Sequence, residues 1–576
     1  MGEKLGDHGL PGRYGGMARA PSFGSGRRRL LQGLGAGVAV GFTRLWAPRS
    51  AAASDLSLSD RIDLLYSNQF HFNRRGEPQI TVGLLQGRKE VRMSAPGGLD
   101  LLPSGDGGTR IEAGGRVLVR LHEGHPAEQR YAIVLQSLPA DDARALGRAA
   151  ERWRGLGLDP VEREVGTVFG VEGKVLDTRQ ILLTTGDLDS EAAAEREATE
   201  LVAEHQALGK LHPLVRSRGH GRLVLEDLER GTVVHADGVS WLSPRGDGPL
   251  TVHDVATGGA GASKADRQYW GSVYVAVDRH GTLAVVNLVS ETDLLAGLVP
   301  AEIYASAPHH ALQAQAVAAR GQLVSKVGTR HLDDPFLLCA DQHCQVYAGK
   351  GHEHPRTTKA VRDTAGRVLM RPGGTHLVDT VYSANSGGHS EDNDVVWPSP
   401  PDPQLRGRPD PLLPTSVAER LREGDLSAWL RASPKSYSLP DDEAGRAGYR
   451  WQASVDPAAV AGREGVPKAL GTIEAMEVLA RGRSGRATSV RLRGETDTFV
   501  LHGELRIRRA LGGLKSSMFL VESERDRHGR FQLLGGGHGH GVGLCQHGAM
   551  GMARDGKSLE EILAHYYQDA TLERLW

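Results

Sequence analysis

The sequence predicts a multidomain α+β protein, with a β-rich N-terminal part, a strand–helix–strand–strand–helix (βαββα) unit after it, and a mixed C-terminal domain. Three observations lead there. The chain has 576 residues, too many for one ordinary core and enough for two to four domains. Residues 79–122 break into short apolar runs separated by Gly, Pro and Asp, the pattern of successive strands. From Arg130 onward, strand-like runs alternate with helix-periodic ones. A hydrophobic content of 39% suffices for folded domains, and a net charge of −1 argues against nucleic acid held by a dominant basic patch.

Residues 1–53 read as an export signal of twin-arginine type. Arg27, Arg28 and Arg29 precede Leu30, Leu31 and a mild apolar run to Phe42, and Ala51, Ala52 and Ala53 offer a small-residue cleavage site. The apolar run is too short and interrupted for a membrane span, so no transmembrane anchor is expected after cleavage. Met1 and Met17 are alternative starts. Export places the mature chain in the periplasm or cell wall, where disulfides can form.

Residues 54–128 are the β-rich lead-in, with runs QITVGLL, KEVRMSA, LDLLPS, TRIEAG and RVLVRLHEG. Residues 129–210 change character. RYAIVLQSL reads as a strand, DDARALGRAAERWRGLG as a helix with an Asp cap, TVFGVEGKVLD and TRQILLTTG as two strands, and SEAAAEREATELVAEHQ as a second helix. Residues 211–265 return to β structure. The C-terminal domain, 266–576, opens with a hairpin, YWGSVYVAV and TLAVVNLV around an Asp278 turn. ALQAQAVAARGQLVSKV follows as a helix with Leu312, Ala316, Ala319, Leu323 and Val327 at helical spacing. A second hairpin is expected around Gly482–Gly485, and a helix within the proline-rich stretch 398–440.

The stretch Gly535–Tyr567 packs glycines around His538, His540, Cys545, Gln546 and His547, which suits a loop that lets backbone approach a ligand closely. Ser558 and Glu561 then have capping-box spacing, with Ile562, Leu563 and Tyr566 on one apolar face. GHGHGVGLCQHGAMGMARDGKSLEEILAHYY resembles the C-terminal signature of the SpoIID/LytB family, the sporulation protein D and amidase-enhancer group of peptidoglycan-active proteins. ETDLLAGLVPAEI, ALQAQAVAARG and TVYSANSGGHSEDNDVVW resemble further family phrases in the same order. The likeness spans roughly Tyr269–Tyr567. Residues 129–210 resemble, in pattern, SPOR-type domains that bind glycan strands lacking stem peptides; a plain structural insert is the alternative.

The resemblance implies a C-terminal SpoIID-like domain with a glycan groove. It also implies a lytic transglycosylase cleaving between N-acetylmuramic acid and N-acetylglucosamine in denuded strands, with 1,6-anhydro ends. Glu302 is its expected catalytic acid and base. The carboxyl must keep its proton near neutral pH, which burial achieves, and this chemistry needs no second carboxylate, unlike most glycosidases. A capping or dipole-stabilised carboxylate at a helix N-terminus is the bland reading of Glu302. Ser386, Gly387 and Gly388 are expected to offer turn amides to a sugar, with His540, Gln546 and His547 forming the opposite wall. Gln315 and Arg320, on the following helix, either orient Glu302 or pack. This chain departs from the family at Gly321 (threonine), His538 (tryptophan), Cys545 (serine) and His547 (tyrosine). The departures at His538, Cys545 and His547 keep open a second reading, a non-catalytic glycan-binding activator of an N-acetylmuramoyl-L-alanine amidase. A third, a zinc hydrolase, needs an open metal site.

His331, Cys339, His343 and Cys344 lie within fourteen residues. Two thiolates and two imidazoles suit one structural tetrahedral zinc; a Cys339–Cys344 disulfide is the alternative. Cys545 is expected to stay reduced and partly buried. His352 and His354 read as a solvated loop.

Overall fold

The computed structural model describes residues 64–576 other than 104–108, 172, 258–262, 342, 414–420 and 422. The export signal expected at 1–53 lies outside the described residues. The predicted lead-in strands are β1 (His71–Phe72), β2 (Pro78–Arg88), β3 (Glu90–Ser94), β4 (Leu99–Pro103), β5 (Ile111–Ala113) and β6 (Arg116–His125). Then come β7 (Glu128–Pro139), α1 (Ala143–Gly155), β8 (Val161–Val165), β9 (Val168–Val171), β10 (Lys174–Asp177), β11 (Gln180–Thr184), α2 (Glu191–His205) and β12 (Lys210–Ser217). The β-rich half ends with β13 (His220–Asp227), β14 (Val233–Asp237), β15 (Val239–Pro244), β16 (Leu250–Thr257), β17 (Ser263–Tyr269), β18 (Ser272–Val277) and β19 (Leu283–Ser290).

Two large sheets result, one running β1-β2-β19-β18-β15-β4-β5 and the other β14-β13-β6-β3-β16-β17. Lead-in strands therefore share sheets with strands from 211–265 and from the start of the C-terminal domain, and pairing crosses the expected limits between these segments. β18 and β19 are buried along their whole length, as continuous apolar strands covered on both faces should be. The Asp278 turn joins them, its carboxylate accepting from the amides of His280 and Thr282.

β6 pairs directly with β13, so residues 128–217 are an insertion between two neighbouring strands. Their antiparallel sheet has the order β12-β7-β11-β8, a split βαβ arrangement. It differs from the βαββα expectation in two ways. β12 closes the sheet against β7, so the unit runs past 210 to Ser217. TVFGVEGKVLD is a separate hairpin, β9–β10, and the polar segment β8 takes the place in the sheet. The reason is apolar burial: Phe169, Val171 and Leu176 leave the unit and enter the main core, Phe169 lying edge-on to Phe70 at 5.0 Å. Each such side chain contributes about 1.5–3 kcal/mol on burial. The hairpin thereby clamps the inserted unit to the body of the protein.

After β19 come α3 (Glu291–Glu302) and α4 (His309–Lys326). α3 starts at Ser290, whose hydroxyl accepts from the Asp293 amide. α4 is buried from Ala311 to Val324 except at Gln313, which its alanines and glycine permit by letting neighbours approach closely. Gly321 is an example: a Cβ there would lie 2.3 Å from the Thr380 hydroxyl. Thr380 itself donates to the Ala318 carbonyl at 2.8 Å and fills the space of the expected threonine. Arg320 does not reach Glu302. Its Nε donates to Glu291 at 2.6 Å, with both side chains almost wholly buried, and its other nitrogens donate to the carbonyls of Arg367 and Val361.

The second hairpin (Ala475–Arg481 with Ala487–Arg493) and the capping box at Ser558 form as predicted. The helix expected in the proline-rich stretch is described over Glu423–Ala432. Among the described residues no helix is long and apolar enough to cross a membrane.

Removing one partner of a buried ion pair leaves the other charge uncompensated. Arg320→Met is therefore expected to cost about 3–5 kcal/mol in chemical denaturation. The double variant Glu291→Leu/Arg320→Met should recover part of that loss.

Candidate functional site

Glu302 is the last residue of α3, followed by the C-cap Ile303. It lies at the negative end of a helix dipole, not at the positive N-terminal end where a carboxylate is stabilised. That overturns the capping reading. Burial pushes the Glu302 carboxyl above its usual 4.5, while the Val346 amide, the Tyr382 hydroxyl and the Lys326 charge pull the other way. The chain end of α3 is fixed by Gln546, whose amide nitrogen donates to the Glu302 carbonyl at 2.8 Å and to the Gln315 side chain at 3.1 Å. Gln315 is fully buried and supports Gln546 from below.

The glycine-rich loop reaches this place because Leu544–Cys545 pairs in parallel with Tyr382–Ser383. His540 donates through Nε2 to the Tyr382 carbonyl at 2.9 Å and accepts at Nδ1 from the Val542 amide at 3.0 Å. Burial pushes this imidazole down to about 3; it is a neutral brace with both nitrogens engaged. Its ring lies 4.9 Å from that of Trp397.

A cleft of about 1980 Å³ runs past Glu302, Tyr382, Trp397, His540 and Gln546. Ser386, Gly387, Gly388, Gln315 and His547 do not line it. The turn amides are consumed internally: Ser386 donates to the Cys545 sulfur at 3.2 Å, Gly387 to Asn385 at 2.8 Å and Gly388 to the Ser386 hydroxyl at 3.3 Å. Gly387 and Gly388 have φ of 76° and 92°, so the motif serves a tight left-handed turn rather than offering donors to a sugar. His547 instead senses Asp442 and Arg554. Cys545 is 1% exposed and caps the helix Gln546–Arg554, accepting from the Gly548 amide. Tyr382, Val346, Lys326 and Trp397 escaped the sequence reading. TVYSANSGG carried the tyrosine in plain view, but only the fold brings it to Glu302.

His331, Cys339, His343 and Cys344 come together, with one donor atom of each within 4.8 Å of the others. The thiols are free, so the disulfide is not formed. Cys344 Sγ lies 3.3 Å from His331 Nε2 and 3.7 Å from His343 Nδ1, and Cys339 Sγ 3.7 Å from His343 Nδ1. Ligand atoms around a tetrahedral zinc are roughly 3.4–3.8 Å apart at ordinary bond lengths, so the donors fit. Two further features agree. His331 has a left-handed φ of 52°, which is strained for this residue type. Its Nδ1 is held by Asp334 at 2.9 Å, leaving Nε2 for a metal. Hydrogen bonding from Cys339 holds the Cys344 thiol down to about 6. Pairing of Leu338–Cys339 with β2 anchors one side of the loop. Two residues past Cys344, the Val346 amide meets the Glu302 carboxyl, so the cluster lies beside that carboxyl's surroundings. Elsewhere, His354 caps the helix Pro355–Asp363.

With this geometry in place, comparison with known proteins is informative. Residues 279–370 match the family described as Stage II sporulation protein, and 394–543 match a domain of unknown function. The chain is 27% identical to the amidase enhancer of Bacillus subtilis (strain 168) over 371 residues, 58% of this chain and half the length of that protein. It is 28% identical to Stage II sporulation protein D of the same organism, over 51% of this chain and 78% of that one. The Bacillus amyloliquefaciens Stage II sporulation protein D is 27% identical, over 51% and 77% respectively.

Two outcomes are expected. Elemental analysis of the purified protein should find one zinc per chain, absent from Cys344→Ala and retained in Cys545→Ala. Ser386→Ala should lower the unfolding midpoint, through loss of its bonds to Ser438 and Gly388, while leaving glycan affinity unchanged.

Proposed function

We propose that this chain, which carries a SpoIID/LytB-family domain, is an exported lytic transglycosylase acting on peptidoglycan glycan strands in the periplasm or cell wall. One observation carries the reading: burial pushes the Glu302 carboxyl toward its protonated form beside a long cleft. Glu302 donates its proton to the glycosidic oxygen, which leaves on N-acetylglucosamine as a hydroxyl. The 6-hydroxyl of the muramic residue bonds to the anomeric carbon and returns its proton to Glu302. The product is a 1,6-anhydro end, and no water is consumed. Glu391, considered as a second carboxylate for hydrolysis, does not line the cleft and is fully buried against Ser484 and the Arg483 amide. The four-donor zinc cluster would leave no open position for a metal-activated water, and zinc there would cross-link the loop that carries Val346.

The inserted unit supports a substrate longer than one disaccharide. Its Val134, Gln180, Leu182, Lys210 and His212 line the same cleft as Glu302. We read it as a glycan-holding wall.

The second reading, a glycan-binding activator of an amidase, is favoured by the likeness to a protein named amidase enhancer across 58% of this chain. Product analysis separates the two. Peptide-free strands treated with the wild-type protein should acquire 1,6-anhydro ends by mass spectrometry, and Glu302→Gln should lose about 10²-fold or more of the rate. Strand binding without any cleavage would favour the activator.

A pH profile adds a further outcome. The donor must be protonated, so the rate falls as pH rises through the value of Glu302, which lies above 4.5. Tyr382→Phe removes a hydrogen bond that favours the ionised form. The alkaline limb should move to higher pH in that variant.

A further inference from the structure

Most cations facing the cleft are neutralised by carboxylates. Arg179 pairs with Asp177, Arg279 with Asp333 and Arg371 with Asp402. Lys210, Lys326 and Arg330 differ: all three line the cleft, and among the described residues none forms an ion pair with a carboxylate. Lys326 donates only to the Cys344 carbonyl, at 2.6 Å, and Arg330 to the His343 carbonyl. An ammonium offers three donors and a guanidinium five, so both retain free donors, and Lys210 retains all of its own. They converge from different parts of the chain. Lys210 opens β12 of the inserted unit, Lys326 ends α4 and Arg330 lies in the loop after it. The Arg330 charge acts on both lysines, and the Lys326 charge acts on Glu302. The negative groups that act on Lys210 and Lys326 are Asp379, which is held by Gln322, the Cys344 thiol and, at Lys326, Glu302. Three basic side chains thus share a partly enclosed space without a carboxylate in ion-pair contact, and attraction to an anion there is stronger than in water.

We infer that Lys210, Lys326 and Arg330 form a carboxylate-binding subsite beside Glu302, which takes the free lactyl carboxylate of a muramic residue without a stem peptide. The inference rests on the glycan-strand reading above and deepens it. A stem peptide converts that carboxylate into an amide, removing its charge and adding bulk where the inserted unit closes the cleft. Lys210 is then the specificity residue supplied by the insertion. This makes the inserted unit part of the substrate site and gives it a role in choosing strands already stripped of peptide.

Binding is best measured in the Glu302→Gln background, so that strands survive. The probes are peptide-free strands, the same strands with lactyl carboxylates converted to methylamides, and strands with intact stem peptides. The parent protein should bind the free-carboxylate strands about tenfold more tightly than the methylamides, as charge-assisted hydrogen bonding implies. Peptide-bearing strands should bind like the methylamides. Lys210→Gln should remove most of the preference for free-carboxylate over methylamide strands, and Lys210→Glu should reverse it. Equal binding of free and methylamide strands by the parent protein, or an undiminished preference in Lys210→Gln, overturns the subsite while leaving the glycan reading standing. Tight binding of peptide-bearing strands would move the anion to the stem peptide and overturn the lactyl assignment. Binding of none of the three probes overturns both the subsite and the reading beneath it.

Discussion

The buried contact between Glu291 and Arg320 is the constraint on which the site depends. It pins the first turn of α3 to the middle of α4, and Arg320 also reaches the carbonyls of Val361 and Arg367. A buried ion pair is weak evidence of net stabilisation; its value here is positional. With the start of α3 fixed, and its last carbonyl held by Gln546, the Glu302 carboxyl has one place to be. That place combines burial with the unfavourable end of a helix dipole, both of which disfavour charge. A helix beginning at residue 302 would have reversed the second of these effects.

Two further parts complete the environment. The loop after α4 gathers two imidazoles and two thiols, and its next residues bring Val346 against Glu302. The inserted unit, clamped by Phe169, Val171 and Leu176, supplies the far wall of the cleft. Its sheet uses both faces. Tyr131, Ile133 and Leu135 pack under α1 and α2, whereas Val134, Val165 and Leu182 turn the other way, toward Leu332 of the His/Cys loop. The alternation of a strand thus joins a peripheral unit to the loop beside the acid.

Much of this was legible in the sequence where local chemistry decides structure. The Asp278 hairpin, the Asp cap of the first helix in the inserted unit, the Ser558 capping box and the His331–Cys344 donor set all follow from short-range patterns. The failures share a different cause. TVFGVEGKVLD reads as a sheet strand because its apolar residues look alike wherever they are buried; only the tertiary fold sends them to another core. VEREV is too polar to announce β8, which is a sheet edge. The amides of Ser386–Gly388 looked available because sequence does not reveal that Asn385, Cys545 and Ser386 itself would accept from them. Tyr382 and Lys326 were missed because their importance comes from contacts with Glu302 across long stretches of chain.

The central claim is that the fold holds the Glu302 carboxyl toward its protonated form. Carboxyl-labelled glutamate NMR would test it most directly, with the Glu302 resonance assigned by its loss in Glu302→Gln and followed through a pH titration. The account predicts a midpoint above the ordinary 4.5. A midpoint at or below that value would mean that the surroundings stabilise the carboxylate, contradicting its proposed role as proton donor.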